Sequence, residues 1–246
     1  MWWAGRVVVV GVWLVALLTT GGQPAHGVVA SGMSHLRFVN ALSAHEALQL
    51  VVNGESVLEP QAAHGISDYV ALVPGSYRVQ VRVVNDALAD AAADTSSPIL
   101  NLALSLQGDE ERTLVMTKHK GQLQPLLLRD DNVWPDVSVY RLRLVNLAQA
   151  NTVDLSASSQ IRIFRTVPPL AHTDYLTSVA GTLSGQLSTS SNVSTPLKLN
   201  PIKLYGGSVY TAFVFEERGH FSIGISIDAQ RPLLPETGGD LTGGDQ

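Results

Sequence analysis

The sequence contains no cysteine, which excludes disulfide bonds and lipid attachment through a cysteine side chain. An exported protein without disulfides must be held together by its own hydrophobic core. Hydrophobic residues make up 45% of the chain, which is enough for such a core. Charged residues make up only 15%, which excludes a disordered polyelectrolyte.

Basic residues are also scarce. The net charge is −5 and the sequence has no basic stripe, so we expect no nucleic-acid partner. The densest basic spot consists of Lys118, His119 and Lys120, and its surroundings predict a solvated hairpin turn.

The first 30 residues have the layout of a secretory signal peptide. Arg6 is the only charge before an apolar run over residues 7–18, and small residues follow that allow cleavage before Val28 or Ser31. The alternative is a permanent membrane anchor. Twelve helical residues span only about 18 Å, however, against a hydrocarbon core of roughly 30 Å. We therefore predict export, with no membrane span after cleavage.

The remaining chain contains an internal repeat. Residues 36–40 (Leu-Arg-Phe-Val-Asn) recur as residues 142–146 (Leu-Arg-Leu-Val-Asn), and residues 67–70 recur as residues 173–176, both shifted by 106 positions. Two further matches are shifted by 98 positions, namely Pro98 with Pro196 and Gly121 with Gly219. One length difference, at an Ala- and Asp-rich insert, reconciles the two shifts. The sequence therefore predicts two tandem copies of one module.

Apolar residues alternate with polar residues in several segments, which is typical of half-buried strands. Residues 77–83, 100–107 and 140–146 have this period of two. Turn signals separate the segments: Asn53-Gly54, Pro74-Gly75, Lys120-Gly121 and Gly206-Gly207. The pattern predicts an all-β protein of two antiparallel β-sandwich or open-barrel modules.

These features divide the chain into four parts. We predict a signal peptide over residues 1–30, a first β module over 31–135, a second over 136–229 and a disordered tail over 230–246. One short helix is expected in the insert, at residues 86–94. The tail contains residues 234–238 (Leu-Pro-Glu-Thr-Gly), which match the signal read by sortases. Only a short polar segment follows this match, which favours a chance occurrence.

The first module has an opening strand with Leu-Arg-Phe-Val-Asn-Ala at residues 36–41, then Val-Asn-Gly at residues 52–54, the Ser-Asp-Tyr-Val segment at residues 67–81 and a close with Leu-Leu-Leu-Arg-Asp-Asp at residues 126–131. In these motifs it resembles a bacterial family, the domain-of-unknown-function 4397 family. It implies a secreted protein with tandem β modules and no established activity. The order of features is also similar to the periplasmic accessory proteins of alginate O-acetylation. In the second module Ala180 replaces the proline of the Pro-Gly turn.

No motif of a catalytic site is present. The sequence lacks a Gly-x-Ser-x-Gly elbow, a closely spaced histidine pair and a phosphate-binding glycine loop. The sequence cannot exclude a pair of facing carboxylates, but its acidic residues occur mainly at turns. We therefore predict no enzyme activity, no metal and no cofactor.

A repeated Asp-Tyr pair is the best candidate for a ligand site. The pair occurs once in each copy with a histidine nearby, and together the candidates are His64, Asp68, Tyr69, His172, Asp174 and Tyr175. One interpretation is a small polar site for a sugar hydroxyl or a cation. The other is structural, with the aspartate closing a turn and the tyrosine packing at the edge of the sandwich.

One strand of the second module has a weak pattern, because only Leu183 and Leu187 are apolar in a run of Ser, Thr and Gln. We expect this strand to be a polar edge to which another chain could add. The sequence thus favours an exported, non-enzymatic binding or scaffolding protein, periplasmic or at the cell surface, with an envelope protein or a polysaccharide as its partner. The alternatives are an accessory subunit for exopolysaccharide O-acetylation and an unrecognised hydrolase.

Overall fold

The computed structural model describes residues 32–42, 47–84, 97–157, 162–190 and 196–230. The predicted signal peptide, the predicted helix at 86–94 and the sortase-like segment at 234–238 lie outside these residues. The described residues form seventeen strands and no helix, so the all-β prediction is confirmed. The strands are β1 (Ser34–Asn40), β2 (Ala47–Val52), β3 (Glu55–Ser56), β4 (Val70–Leu72), β5 (Gly75–Val84), β6 (Leu100–Leu106), β7 (Glu111–His119), β8 (Gln122–Arg129), β9 (Val139–Asn146), β10 (Val153–Ser156), β11 (Arg162–Val167), β12 (Ala171–His172), β13 (Leu176–Val179), β14 (Gly181–Thr189), β15 (Leu197–Leu204), β16 (Ser208–Glu217) and β17 (His220–Gln230).

The strands form four sheets, and the two halves of the chain have the same strand order. The first half contains the sheets β4-β1-β7-β8 and β3-β2-β5-β6. The second contains β12-β9-β16-β17, with β13 also paired to β9, and β11-β10-β14-β15. The expected antiparallel pairing holds except for β1 with β7 and β9 with β16, which are parallel. Each parallel pair joins the first strand of a half to its seventh or eighth, because the chain has crossed to the other sheet and returned.

The repeat extends to the backbone conformation of the hairpin turns. Lys120 and Gly121 have φ angles of 49° and 80°, and Arg218 and Gly219, shifted by 98 positions, have 50° and 80°. Positive φ at both central residues is the requirement of a type I′ turn, whose twist matches the flanking strands. The predicted turn at Lys120 therefore lies where expected, between β7 and β8.

Strands β1 and β9 are buried on both faces, although the alternating sequence of β9 predicted only one buried face. Leu36 and Phe38 pack into the core of the first half. Arg37 and Val39 point the other way and are also buried, because the second half covers this face. Strand β9 repeats the arrangement. The alternation thus separates two buried environments rather than a core and solvent.

The four sheets consequently stack in four layers with three buried cores. Each half has its own core between its two sheets. A third core lies between the halves, where the β1-β7-β8 sheet meets the β9-β16-β17 sheet. Its buried members are Val39, Val115, Leu128, Val145, Leu147, Phe213 and Phe215.

Strand β14 corrects the expectation of a polar edge strand. It is hydrogen-bonded on both sides, to β10 and to β15. Leu183 and Leu187 point into the core of the second half. Gly185 lies between them, where the Ser156 carbonyl comes so close that a Cβ atom would be 2.1 Å from its oxygen. The polar residues of the run lie on the outward face, because side chains alternate along a strand.

The stack has two distinct ends. Strands β1, β7, β9 and β16 all start at one end, which we call the linker end because residues 130–138 connect the halves there. The chain enters the described fold at Gly32 and leaves it after Gln230 at this same end, since Gln230 pairs with Ser208 at the start of β16. The opposite end, where β14 and β16 finish, is the far end. The ten residues of β16 span the about 33 Å between them.

Candidate functional site

The largest group of buried polar side chains lies in the junction between the halves. Arg37 and Arg143 are each only 1% exposed, and each points from the first strand of its half toward the other half. Burying a guanidinium is costly unless its charge and its hydrogen-bond donors are all matched. The surroundings of the two arginines supply that match.

Each arginine pairs with an aspartate of the opposite half. Arg37 Nη2 lies 2.7 Å from Asp228 Oδ1, and Arg143 Nη2 contacts Asp130 Oδ1. Both aspartates directly follow or end the last strand of their half. The two ion pairs therefore cross the junction in opposite directions, as expected for a pseudo-twofold arrangement of two similar modules.

Threonines and tyrosines complete the network within each half. Thr113 accepts a hydrogen bond from Arg37 Nε at 3.0 Å and donates one to Asp130 at 2.6 Å. Tyr69 donates to Asp130 at 2.7 Å, and its ring centroid lies 4.6 Å from Arg37 Cζ. These contacts satisfy a buried carboxylate from three sides.

The second half repeats each of these contacts. Thr211 accepts from Arg143 Nε at 2.8 Å and donates to Asp228. Tyr175 donates to Asp228 at 2.7 Å, and its ring centroid lies 4.8 Å from Arg143 Cζ. We call the eight side chains the junction network: Arg37, Tyr69, Thr113, Asp130, Arg143, Tyr175, Thr211 and Asp228.

The electrostatics keep Arg37 and the two tyrosines of the network protonated, and burial raises the pKa of Asp228 despite the nearby Arg37. Although burial opposes its charge, Asp228, Tyr69 and Asp130 raise the pKa of Arg37. Burial raises the pKa of Tyr69 despite the nearby Arg37, and it raises the pKa of Tyr175 together with Asp228. Both phenols therefore stay protonated and donate to the carboxylates. The arrangement suits a fixed contact between the halves, because its donors and acceptors are already used.

The six residues predicted as ligand sites separate in the structure. Tyr69 and Tyr175 join the junction network, whereas Asp68 and Asp174 are exposed. The serine or threonine that precedes each aspartate binds the first strand of its half: Ser67 Oγ accepts a hydrogen bond from the Phe38 amide at 2.9 Å, and Thr173 Oγ1 accepts one from the Leu144 amide at 3.0 Å. Ligand binding by these residues stays a prediction.

The two histidines have different surroundings. The His64 ring stacks on Phe215 of the second half, with centroids 4.8 Å apart and planes 17° apart. His172 is exposed, and its Nδ1 lies 3.2 Å from the carbonyl oxygen of Thr173. Within the described ranges no three metal-ligating side chains come together.

Two neighbouring cavities of about 280 Å³ each lie at the far end of the second half. One is a groove on the outward face of β10, β11 and β14. All of its lining residues except one proline are polar or charged, and we call it the polar groove: Thr152, Asp154, Ser156, Arg162, Thr166, Gln186, Ser188, Thr189, Ser190 and Pro196. The other shares Thr189 and Pro196 and reaches the β16–β17 turn, where His220 and Phe221 line it.

The charges in the polar groove are matched by each other. Arg162 Nη1 lies 3.3 Å from Asp154 Oδ2, and the amide of Thr166 donates to the same carboxylate. What remains on the surface is a few hydroxyl groups, such as that of Ser188, and the amide of Gln186. Such groups can both donate and accept hydrogen bonds, so the groove suits a polar, uncharged ligand. Sequence reasoning missed the groove because its residues are outward-facing parts of three separate strands.

Comparisons with known proteins give distant likenesses in structure. The C-terminal domain of AlgF from P. aeruginosa is 16% identical with a TM-score of 0.28, over 38% of this chain and 99% of that domain. The tip fimbrial protein Mfa3 from Porphyromonas gingivalis is 11% identical with a TM-score of 0.25, over 80% of this chain and 99% of that one. Among curated proteins none matches the chain.

The family comparison is more specific. A protein-family model matches a region of the chain that starts at β1, crosses the linker and ends at β10. This region includes the first half and the opening strands of the second half. The model of a domain of unknown function, DUF4397, matches residues 34–156, half of the 246 residues, and the chain belongs to this family.

Proposed function

We propose that this chain is an exported, non-enzymatic binding protein of the cell envelope or the extracellular space, which holds a polysaccharide in the polar groove of its second half. The observation that carries the proposal is the lining of that groove, with several hydroxyl groups, one amide and one internally neutralised ion pair. A polysaccharide presents the same kind of groups and would exchange hydrogen bonds with them.

Export is supported by the charge and hydropathy pattern of the first 30 residues. None of the described segments forms a helix that could cross a membrane. Because small residues precede Val28 and Ser31, we expect the mature protein to begin at one of these two residues.

A non-enzymatic role is supported by the use of the buried charged side chains. Aspartate side chains serve in acid–base chemistry in many enzymes. In this protein Asp130 and Asp228 are enclosed in the junction network. A general acid or base must reach the proton that it transfers, and these groups face only one another. We expect the protein to leave a bound polysaccharide unchanged in length and in acyl content.

The second candidate function is an accessory subunit for the O-acetylation of an exopolysaccharide. The same hydroxyl-lined groove favours it, because such a subunit would hold the polymer while another protein transfers the acyl group.

The test is a calorimetric titration of the mature protein with uncharged and acidic bacterial polysaccharides. Gln186 and Ser188 face the groove from β14, so Gln186→Ala and Ser188→Ala should each weaken binding about tenfold, the loss of one or two hydrogen bonds. Thr182→Ala is the matched control, since Thr182 is exposed near the linker-end start of the same strand and is outside the groove. Equal affinities for all three variants, or no binding to any polysaccharide, would contradict the proposal.

A further inference from the structure

Exposed apolar side chains are concentrated at the linker end. Trp134 is 48% exposed and Val179 is 74% exposed, although both would be expected inside a protein. We call the group the end patch: Met33, Val73, Val133, Trp134, Val137, Val179 and Tyr205.

Backbone contacts join the members that belong to the linker and the second half. The amide of Gly207 donates to the carbonyls of Asp136 at 3.1 Å and Val139 at 2.9 Å, which places the neighbouring Tyr205 beside the linker. Val179 pairs with Val139 across β13 and β9.

The first-half members lie at the same end. Leu72 pairs with Ser34, so Val73 follows the ladder next to Met33. Gly32 packs against the side chain of Asp109, and Asn132 of the linker donates to the Asp109 carbonyl at 3.0 Å. One loop residue thus contacts both the entry of the chain and the linker.

Val73 and Val179 occupy equivalent positions, 106 residues apart, and both are exposed. An exposed apolar residue at one position needs no explanation, but its recurrence shows that each half places an apolar side chain at the linker end.

The position of the chain ends decides what covers this surface. Thirteen residues separate Gly32 from the apolar run over residues 7–18, and an extended chain of that length reaches about 45 Å at most. Until the proposed cleavage, this segment connects the linker end to the apolar run, and Gln230 leaves the fold from the same end.

The chemistry of the end patch fits the interface of a bilayer. Trp and Tyr side chains concentrate there because they combine an apolar ring with a polar group. The surrounding charges show no basic excess, since Asp131 is paired with Arg141 at 2.6 Å and Lys203 lies over the Tyr205 ring at 4.8 Å. Attraction to anionic head groups is therefore not the source of affinity.

We propose that the end patch docks on the surface of a phospholipid bilayer, with Trp134 and the surrounding valines inserted among zwitterionic head groups. Docking rests on the proposed export. It would hold the polar groove, at the far end, away from the membrane by the length of the stack.

The sequence supplies a reporter for this contact. Of the four tryptophans, Trp2, Trp3 and Trp13 precede the predicted cleavage sites, so Trp134 is the single tryptophan of the mature chain. Mature protein isolated from exported material is mixed with phosphatidylcholine vesicles at low and high salt. We expect a blue shift of the Trp134 emission and co-sedimentation with the vesicles, both nearly independent of salt.

Two variants keep the fluorophore and separate a specific surface from general stickiness. Val137→Ser with Val179→Ser should reduce vesicle binding at least tenfold. Leu123→Ser is the control, because Leu123 is 38% exposed on β8 close to its far-end turn, and it should bind as the wild type does. Circular dichroism verifies that both variants are folded.

An unchanged emission spectrum with vesicles, or equal binding by the two variants, would overturn the proposal. A blue shift that depends on protein concentration without lipid would replace it with a contact between two copies of the chain. The polysaccharide titration tests the polar groove, which lies at the opposite end of the molecule. A negative titration would contradict the proposed function, and the vesicle experiment would still test membrane docking separately.

Discussion

The two halves meet through a polar network that is the same on both sides and through an apolar core that is not. The four residue types of the network recur at both repeat shifts, 106 for Arg37 and Tyr69 and 98 for Thr113 and Asp130. The side chains that fill the rest of the junction differ in size between the two halves. At the shift of 98 positions, Val115 and Thr117 correspond to Phe213 and Phe215. At the same shift, Leu126 and Leu128 correspond to Gly224 and Ser226.

In this apolar core, the large side chains lie on different strands in the two halves, but in both halves they face the junction. The first half has small residues on β7 and leucines on β8, whereas the second half has phenylalanines on β16 and small residues on β17. Packing tolerates such an exchange because only the total volume must fit. A buried ion pair has no comparable freedom, because each donor needs an acceptor at a fixed place. The comparison indicates which changes the junction will tolerate.

The largest effect is expected from a break in the network. Arg37→Met leaves Asp228 buried without its cation, so the free energy of unfolding should fall by about 3–5 kcal/mol, measured by urea unfolding. Arg143→Met should cost a similar amount. Removal of both charges in Arg37→Met with Asp228→Leu should recover much of the loss.

Arg78→Met is the control for this series, because Arg78 is exposed on the outer sheet of the first half, and it should change stability by no more than about 0.5 kcal/mol. If Arg37→Met lost no more stability than this control, the prediction that the junction network stabilises the fold would be wrong.

A second comparison concerns Gly185, whose equivalent in the first half is Val79. Gly185→Val would force the Ser156 backbone to move, because the new Cβ would lie 2.1 Å from that carbonyl oxygen. Unfolding by urea should show a loss of about 2–3 kcal/mol. Gly181→Ala on the same strand meets only ordinary contacts and should be nearly neutral.

A third comparison tests the exchange of volume directly. Gly224→Leu restores the leucine found at Leu126 in the first half, but its Cβ would lie 2.9 Å from Ile66 Cδ1 and 3.3 Å from Phe215 Cε2. We expect a loss of about 1–2 kcal/mol from overpacking. Adding Ile66→Ala should recover part of the lost stability, because it removes the side chain that the new Cβ would contact. A double variant as unstable as Gly224→Leu alone would show that the site cannot accept a larger side chain in exchange for a smaller neighbour.

The smallest effect concerns Glu111, which faces the junction where the second half has the fully buried Val209. Burial, with Asp130 and Asp228 nearby, raises the pKa of Glu111 from 4.5 to about 7. The folded state therefore keeps a proton that the unfolded chain has released. The contribution of this group to stability is complete below about pH 4.5 and is lost as the pH rises through 7.

Glu111→Gln removes this titration. The variant should be more stable than the wild type by about 1 kcal/mol at pH 8, a value set below the full shift because solvent partly screens the carboxylate. Its stability should also vary less between pH 4.5 and 7. Glu110→Gln is a control of opposite sign: although burial opposes it, the Gln107 amide and Arg112 lower the pKa of Glu110. Thermal unfolding as a function of pH separates the two.

The sequence predicted the all-β fold because alternation and turn residues act locally. The type I′ turn at Lys120-Gly121 needs only two residues that accept positive φ, and both are visible in the sequence. The burial of Arg37 was not predictable from alternation, which separates the two faces of a strand but does not reveal that both are covered.

A signal for the junction network was nevertheless present. Asp130 and Asp228 recur with the shift of 98 that relates Gly121 to Gly219, and Arg37 and Arg143 recur with the shift of 106. Charged residues that recur at the register of a buried repeat indicate a shared structural role. The repeated Asp68 is a counterexample, since it and Asp174 are exposed. The prediction that β14 is a polar edge strand was wrong, because Gly185 interrupts the inward series of leucines and leaves only two of them visible in the sequence.

The crossing of the ion pairs has a consequence for the order of folding. Arg37 and Asp228 are separated by 191 positions, so the first strand of the chain acquires its charge partner only after the last strand has formed. Contacts so distant in sequence fold slowly, because a long loop must close before they form. The first half therefore cannot complete the junction during synthesis, and the two halves close the network only when the entire chain is available.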